Sequence, residues 1–234
     1  MPTNPLGQPI GEPVPGWTAR PRPPATPMVG RRCTVRPLDP AADARALFEA
    51  NRLDATGANW TYLGYGPFER FEDYAQWAEA SAKSLDPMFH TILDGADRAV
   101  GIATYMRLDP PAGVIEVGHI NMSPALQRST ASTEAMYLMM RRVFDELGYR
   151  RYEWKCDALN APSRRTAERL GFVFEGIFRQ ATIYKGRNRD TAWFAVIDKD
   201  WPKVRAGFER WLDPSNFDAA GRQKLSLAQC RAMA

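Results

Sequence analysis

The segment that most constrains this chain runs from Asn160 to Phe172, Asn-Ala-Pro-Ser-Arg-Arg-Thr-Ala-Glu-Arg-Leu-Gly-Phe. Asn160 is a strong N-cap, Pro162 is tolerated in a helix only in its first turn, and Gly171 adopts the left-handed conformation that closes one. These start and stop signals bracket a short amphipathic helix, and the β-prone run after Gly171 predicts a strand directly behind it. Read alone, Asn160 and Ser163 are a cap side chain and the residue whose orphan N–H it satisfies at any helix N-terminus.

The remaining periodicities place that helix in a mixed α/β chain. Cys33 to Leu38 reads as a strand, and Pro40 to Arg52 as a helix with Ala44, Leu47 and Phe48 on one face. Asn59 to Phe68 is a glycine-punctuated aromatic loop, followed by a helix around Glu69 to Ser84 and strands near Met88 to Leu93, Ala99 to Leu108 and Val114 to Met122. Thr133 to Leu147 is predicted as one helix, with Met136, Met139, Met140, Val143, Phe144 and Leu147 on a single stripe that reads as core. Strands follow over Arg151 to Asp157, Phe172 to Tyr184 and Arg189 to Asp198, the last two joined by a turn at Lys185 to Asn188. Trp201 to Leu212 closes the fold as a helix with Trp201, Val204, Phe208 and Trp211 at helical spacing.

A chain of 234 residues with 44% hydrophobic and 11% aromatic content can bury one full core, so the expected organisation is a single domain over residues 31–212 between two tails. Residues 1–30 hold nine of the 19 prolines and read as an extended arm, either disordered or draped through Ile10, Val14 and Trp17 over its own domain or a second subunit. Residues 213–234 form the C-terminal tail. The net charge of +4 comes from dispersed residues; Arg164, Arg165, Arg187 and Arg189 make no basic patch, so a small anionic ligand is expected and nucleic acid is not. Three widely spaced cysteines and two histidines offer neither a disulfide framework nor a metal site, and Cys156, between strand neighbours, reads as a buried structural thiol. No secretory leader or bilayer-spanning run is visible, which predicts a cytoplasmic protein without a membrane partner.

Two further segments carry chemistry. Leu126 to Glu134, between a strand and the methionine-rich helix, offers free backbone N–H groups and a helix dipole suited to a pyrophosphate, or simply a Ser/Thr-capped helix start. The strand Val114 to Met122 holds Glu116 and His119 in an apolar run. Strict alternation puts them on opposite faces, but Gly118 between them is where a β-bulge can reset it. His119 can equally be a satisfied structural histidine.

Asn160-x-x-Ser163, followed after seven residues by Gly171-Phe172 and then Glu175-Gly176, resembles the GNAT acetyltransferase superfamily, and within it the subgroup that contains the ribosomal-protein N-terminal acetyltransferases. The resemblance covers Cys33 to Trp201 and is specific from Glu116 onward. It implies a mostly antiparallel sheet, flanked by helices, that splays open to admit acetyl-CoA. It further implies a bulged strand in which Glu116 activates the acceptor amine and His119 substitutes for it or assists it, with Ile120 and Met122 beyond the bulge lining the cofactor.

By the same resemblance Gln127, Arg128, Ser129, Thr130, Ala131 and Ser132 form the pyrophosphate loop, although Thr130 and Ser132 stand where the family usually has glycine. Asn160 would hold the pantetheine arm or a water, and Ser163 would donate to the departing sulfur, where many relatives use a tyrosine. Trp60, Tyr62 and Tyr65 of the aromatic loop are the expected acceptor-binding residues. The acceptor is a primary amine: a peptide N-terminus, an amino acid or another small amine. Such an amine attacks only when neutral. An α-amine near pKa 8 is about one-tenth neutral at pH 7, whereas a lysine side chain is neutral in only about one molecule in 2,500. Direct attack needs neither metal nor covalent intermediate, so Cys156 is not required as a nucleophile. A non-catalytic acyl-CoA sensor is the alternative, and a homodimer is possible.

Overall fold

The computed structural model describes residues 1–234. Four elements coincide with their sequence ranges: α1 (Pro40–Arg52), β5 (Val114–Met122), β6 (Arg151–Asp157) and α5 (Trp201–Leu212). The others are β1 (Met28–Val29), β2 (Cys33–Pro37), α2 (Phe71–Ala82), β3 (Met88–Asp94), β4 (Ala99–Asp109), α3 (Thr130–Arg141), α4 (Ala161–Leu170), β7 (Val173–Tyr184), β8 (Arg187–Ile197) and α6 (Leu227–Ala232). Asn160 accepts the Ser163 amide at the start of α4, as the sequence signal has it, and Asp39 accepts the Ala41 and Ala42 amides ahead of Pro40. Gly171 closes α4 at φ 105°.

The strands form one sheet in the order β1-β2-β3-β4-β5-β6-β8-β7, antiparallel throughout except for β5 beside β6. That parallel pairing begins at Val114 and Arg151 and ends at Val117 and Trp154, after which the two strands diverge. A bulge sits at the point of divergence. Ile102 of β4 pairs with Asn121 and Thr104 with Gly118, so His119 and Ile120 face Ala103 alone. His119 takes φ 47°, and the break in alternation falls one residue beyond Gly118.

The methionine stripe of α3 is core: Met136, Met139 and Met140 are all buried. The helix expected to run unbroken to Leu147 instead widens over Arg142–Glu146 into a π turn, where the Leu147 amide reaches back to the Arg142 carbonyl. The widening turns buried Arg142 toward the N-terminal arm, whose Thr26 and Pro27 carbonyls accept from it at 2.7 and 3.1 Å. Trp17 Nε1 donates to the Pro111 carbonyl at 2.7 Å, and Met28 is buried in the main core, so the arm is draped over its own domain from Trp17 onward, whereas Ile10 and Val14 are exposed. Residues 213–234 also fold back. Asn216 bonds the Trp211 and Leu225 carbonyls, Ser226 and Gln229 form a capping box, and α6 buries Leu227 and Cys230 in the same core. No helix is long and apolar enough to cross a membrane. The three cysteines are free and buried, and no cluster of three or more His, Cys, Asp or Glu side chains converges on a metal position.

One buried group ties this core to pH. His90 on β3 is fully buried, with Nδ1 3.0 Å from the Met88 carbonyl and Nε2 without a partner. Burial, partly offset by that carbonyl, pushes its pKa down from 6.5 to about 4. The folded state therefore holds imidazole neutral while the unfolded chain protonates it, so this contribution is complete above pH 6.5 and is lost as pH falls toward 4. Urea unfolding of the natural chain should lose on the order of 3 kcal/mol over that window through this residue. A folded His90→Gln variant should show a correspondingly shallower loss over the same window.

Candidate active site

The divergence of β5 and β6 opens two adjoining spaces. On one side of the sheet's split lies a cavity of about 360 Å³ walled by β5, β6, β7 and β8, with Glu116, His119, Ile120 and Ser163 on its lining. On the other, a groove of about 780 Å³ runs between the start of α3 and α4, lined by Met122, Gln127, Arg128, Ser129, Thr130 and Ser132. Asn59, Tyr62 and Asn160 line both and mark where they meet.

Ser163 lines the cavity beside this junction, in the first turn of α4. Its Oγ accepts the indole N–H of Trp154 at 3.0 Å, and its amide donates to Asn160 Oδ1 at 3.1 Å. With one lone pair of the hydroxyl taken by the indole, the hydroxyl hydrogen is left to donate, and the Cys156 sulfur is within its reach. Asn160 is both the simple cap that the sequence allowed and a wall of the groove.

Glu116 is 4% exposed on β5. Its Oε2 lies 2.9 Å from Lys155 Nζ and 3.2 Å from Arg107 Nε, in ion pairs without aligned hydrogen-bond geometry. Oε1 accepts no hydrogen bond from the protein and is not among the sealed polar atoms, so it reaches the cavity that Glu116 lines. Burial raises the carboxyl pKa above its ordinary value, against the opposing pull of Lys155 and Arg107. Three residues along, the bulge brings His119 to the same cavity. Its ring stacks on Tyr65 at 5.5 Å, its Nδ1 is 3.3 Å from the Tyr65 hydroxyl, and burial assisted by nearby Arg189 lowers its pKa, which holds it neutral at pH 7.

In the loop before α3, Arg128 takes the left-handed conformation at φ 57°, whereas Thr130 and Ser132 are already helical. The positions where the family has glycine therefore demand no positive φ here, and the departure costs nothing in backbone terms. The amides of Arg128, Thr130 and Ala131 find no acceptor in the protein. The hydroxyls of Ser129 and Ser132 are spent on the Leu126 and Ser129 carbonyls, and Gln127 is tied to Asn59 Oδ1 and the Met122 carbonyl. Of the group read as a phosphate loop, the free amides and the exposed Arg128 side chain remain available.

The aromatic loop is corrected in part. Tyr62 reaches both spaces and bridges to the Leu159 carbonyl at 3.2 Å. Trp60 is core, 4% exposed, with ring edges against Tyr65 and Phe68; Gly66, at φ 63°, passes so close that a Cβ there would meet the indole at 2.4 Å. Tyr65 stands behind His119 and is not on the cavity lining. The hairpin between β7 and β8 is not merely solvated: Lys185 and Arg187 donate to the Trp60 and Thr61 carbonyls and fasten that loop over the cavity.

Residues 32–173 match the acetyltransferase (GNAT) domain family model. A GCN5-related N-acetyltransferase from Brucella melitensis, solved by crystallography, is 44% identical, with a TM-score of 0.92 over 94% of this chain and all of its own. The chain belongs to the GNAT acetyltransferase family. A Chromobacterium violaceum acetyltransferase structure of the same family is 37% identical, with a TM-score of 0.77 over 83% of this chain and 98% of its own. A Vibrio cholerae structure assigned as a ribosomal-protein-serine acetyltransferase shares the fold at 20% identity and a TM-score of 0.64, over 74% of this chain and 98% of its own. No curated protein matches the chain.

This GNAT domain holds site residues that the sequence reading missed. Lys155, its side chain 7% exposed, sits 2.6 Å from Glu153 as well as beside Glu116, with its ammonium 3.7 Å from the centre of the Trp193 ring. Arg151 completes the chain of charges, pairing with Glu153 and Glu175. A lysine two residues from a glutamate on one strand faces the same way, which was the available signal. Trp211, Phe217, Gly221 and Gln223 form the far wall of the groove, so the segment read as a tail is part of the site.

Removing Lys155 leaves two carboxylates buried beside each other, whereas Arg107 is a side chain 65% exposed. Lys155→Met should destabilise the protein by roughly 3–5 kcal/mol, and Arg107→Met by about 1 kcal/mol or less. Denaturant midpoints of the two variants read this directly; equal losses would contradict the network.

Proposed function

We propose that the protein is an acetyl-CoA-dependent N-acetyltransferase that delivers the acetyl group to a primary amine by direct attack within a ternary complex. Candidate acceptors are peptide N-termini, amino acids and other small amines. The observation that carries this reading is the setting of Ser163, whose hydroxyl lines a cavity holding an open carboxylate oxygen, where that cavity meets, at Asn160, a groove ending in free amides.

The groove suits the cofactor. The amides of Arg128, Thr130 and Ala131, clustered at the N-terminus of α3, are the donors that a pyrophosphate requires, and Arg128 adds a charge-assisted one. Met122 and Asn160 line the way from that loop to the junction. Acetyl-CoA supplies the activated thioester. On the acceptor side, Glu116 Oε1 takes the proton of the incoming ammonium, directly or through a water, and neutral His119 stands as a second acceptor on the same wall. Tyr65 orients His119 through its hydroxyl and ring. Ser163 donates to the departing sulfur, whose acidity resembles that of a cysteine thiol and calls for no stronger acid. Cys156, its thiol pushed up by burial, serves as a neutral wall.

Two measurements test the reading. Acetyl-CoA or CoA, binding only the folded state, should raise stability by roughly 2.7 kcal/mol at a hundred times its dissociation constant, and no thermal shift at saturation would sink the proposal. In a pH–rate profile with one accepted amine, Glu116→Gln should lose about a hundredfold to ten-thousandfold at neutral pH and recover partly as the amine deprotonates unaided. Because burial raises the Glu116 pKa, the acid limb of the natural enzyme should lie above that of an ordinary carboxylate. Ser163→Ala should lose less and gain nothing from higher pH. A fully active Ser163→Ala would return Ser163 to its part in the helix cap, and CoA binding without turnover of any amine would favour a sensor.

A further inference from the structure

The charges around the acceptor cavity pair off, with one exception. Arg107, Glu116, Lys155, Glu153, Arg151 and Glu175 form a chain in which every carboxylate has a cation beside it. Asp157 is satisfied by neutral donors, the Tyr184 hydroxyl and the Leu159 amide, each at 2.8 Å. Arg189 remains. It stands at the start of β8, half-buried, on the strand face that also turns Thr191 and Trp193 into the cavity. Its Nε donates to Thr191 Oγ1 at 3.1 Å, no carboxylate lies within ion-pair distance, and neither terminal nitrogen donates to the protein.

We infer that Arg189 is a specificity determinant that receives a carboxylate of the acceptor, so that the substrate class is small amines bearing a carboxylate, such as free amino acids. Three properties of the site lead there. The Thr191 bond fixes the guanidinium plane and leaves its two terminal nitrogens, the pair that grips a carboxylate in parallel hydrogen bonds. Arg189 is the one cation on the lining with no carboxylate beside it, so an incoming carboxylate meets a charge that the protein has not already paired. Across β6, Glu116 is level with Ala195 of β8, six residues or roughly 20 Å along that strand from Arg189, so the two long side chains enter the shared cavity from its opposite ends, and His119, three residues nearer Arg189 along β5, lies between an acid at one end and an amine at the other. The Phe178 ring stacked on Trp193 at 4.4 Å supplies an apolar wall for the rest of such a molecule.

The inference rests on the proposed acetyl transfer, and matched acceptors separate the two. Phenylalanine, leucine and β-alanine, each beside its carboxamide, and O-phosphoethanolamine are supplied with acetyl-CoA while CoA release is followed. The acids should exceed their amides in kcat/KM by about tenfold to a hundredfold, the range of a hydrogen-bonded charge pair, and β-alanine should exceed O-phosphoethanolamine. Arg189→Gln should collapse the acid-to-amide ratio toward one, chiefly through the KM of the acid. Arg189→Lys, a point charge without the fork, should restore only part of it. Amides used as well as acids by the natural enzyme, or a variant that loses both equally, would overturn the assignment; preference for the phosphate would replace carboxylate with phosphate. Should no amine be acetylated, calorimetry in the presence of CoA still decides: N-acetylphenylalanine must bind more tightly than its amide, and must lose that advantage in Arg189→Gln.

Discussion

Everything in this site depends on the loss of pairing between β5 and β6 beyond Val117 and Trp154. Parallel strands this deep in a sheet ordinarily stay bonded along their length, because an unpaired backbone amide or carbonyl away from water is expensive. Here the chain just past the divergence is tied to other neighbours. The Met122 carbonyl accepts from Asn59 and Gln127, the Ala158 amide donates to the Asp190 carbonyl, and the Asn160 amide to that of Asp157. The loop at Asn59 and the β7–β8 hairpin hold the split open, and Lys185 and Arg187 fasten them to each other.

The same geometry explains where the backbone is strained. Arg107, His119, Arg128 and Gln180 all occupy the left-handed region without being glycine, at a cost of roughly 1–2 kcal/mol each. Arg107, His119 and Gln180 lie at register shifts in β4, β5 and β7, the strands around the acceptor cavity. Asp86 holds the Arg107 and Leu108 amides, and Asp190 holds that of Gln180, so two carboxylates fix two of the bulges. A regular strand sends alternate residues to opposite faces; each bulge breaks that rule once and returns Arg107, His119 or the residues flanking Gln180 to the cavity.

Most of the fold was legible because its signals are local. Caps at Asn160 and Gly171 and the stripe of α3 lie within a few residues of what they determine. The π turn at Arg142 was not, since it answers to carbonyls of the distant arm at Thr26 and Pro27. Nor was the burial of Trp60: its loop has the composition of an exposed aromatic surface, and only the closeness of Gly66 and the facing rings of Tyr65 and Phe68 enclose it. In the site, Glu116, His119, Asn160 and Ser163 were visible as polar groups in places that needed a reason. Lys155 and Arg189 looked like ordinary strand and hairpin cations, and what sets them apart, one held between two carboxylates and the other beside none, is a property of packing.

That contrast bears on how one carboxylate can be both buried and useful. Sealed at 4% exposure without partners, Glu116 would be protonated at neutral pH and could accept nothing. Lys155 and Arg107 pull its pKa back down, yet both come nearest at Oε2, and Oε1 accepts no hydrogen bond from the protein. A cation bound evenly across both oxygens would stabilise the charge equally well and block the proton's path. Glu153 and Arg151 then keep Lys155 in its place from below, so that the one-sided contact persists while the other oxygen works.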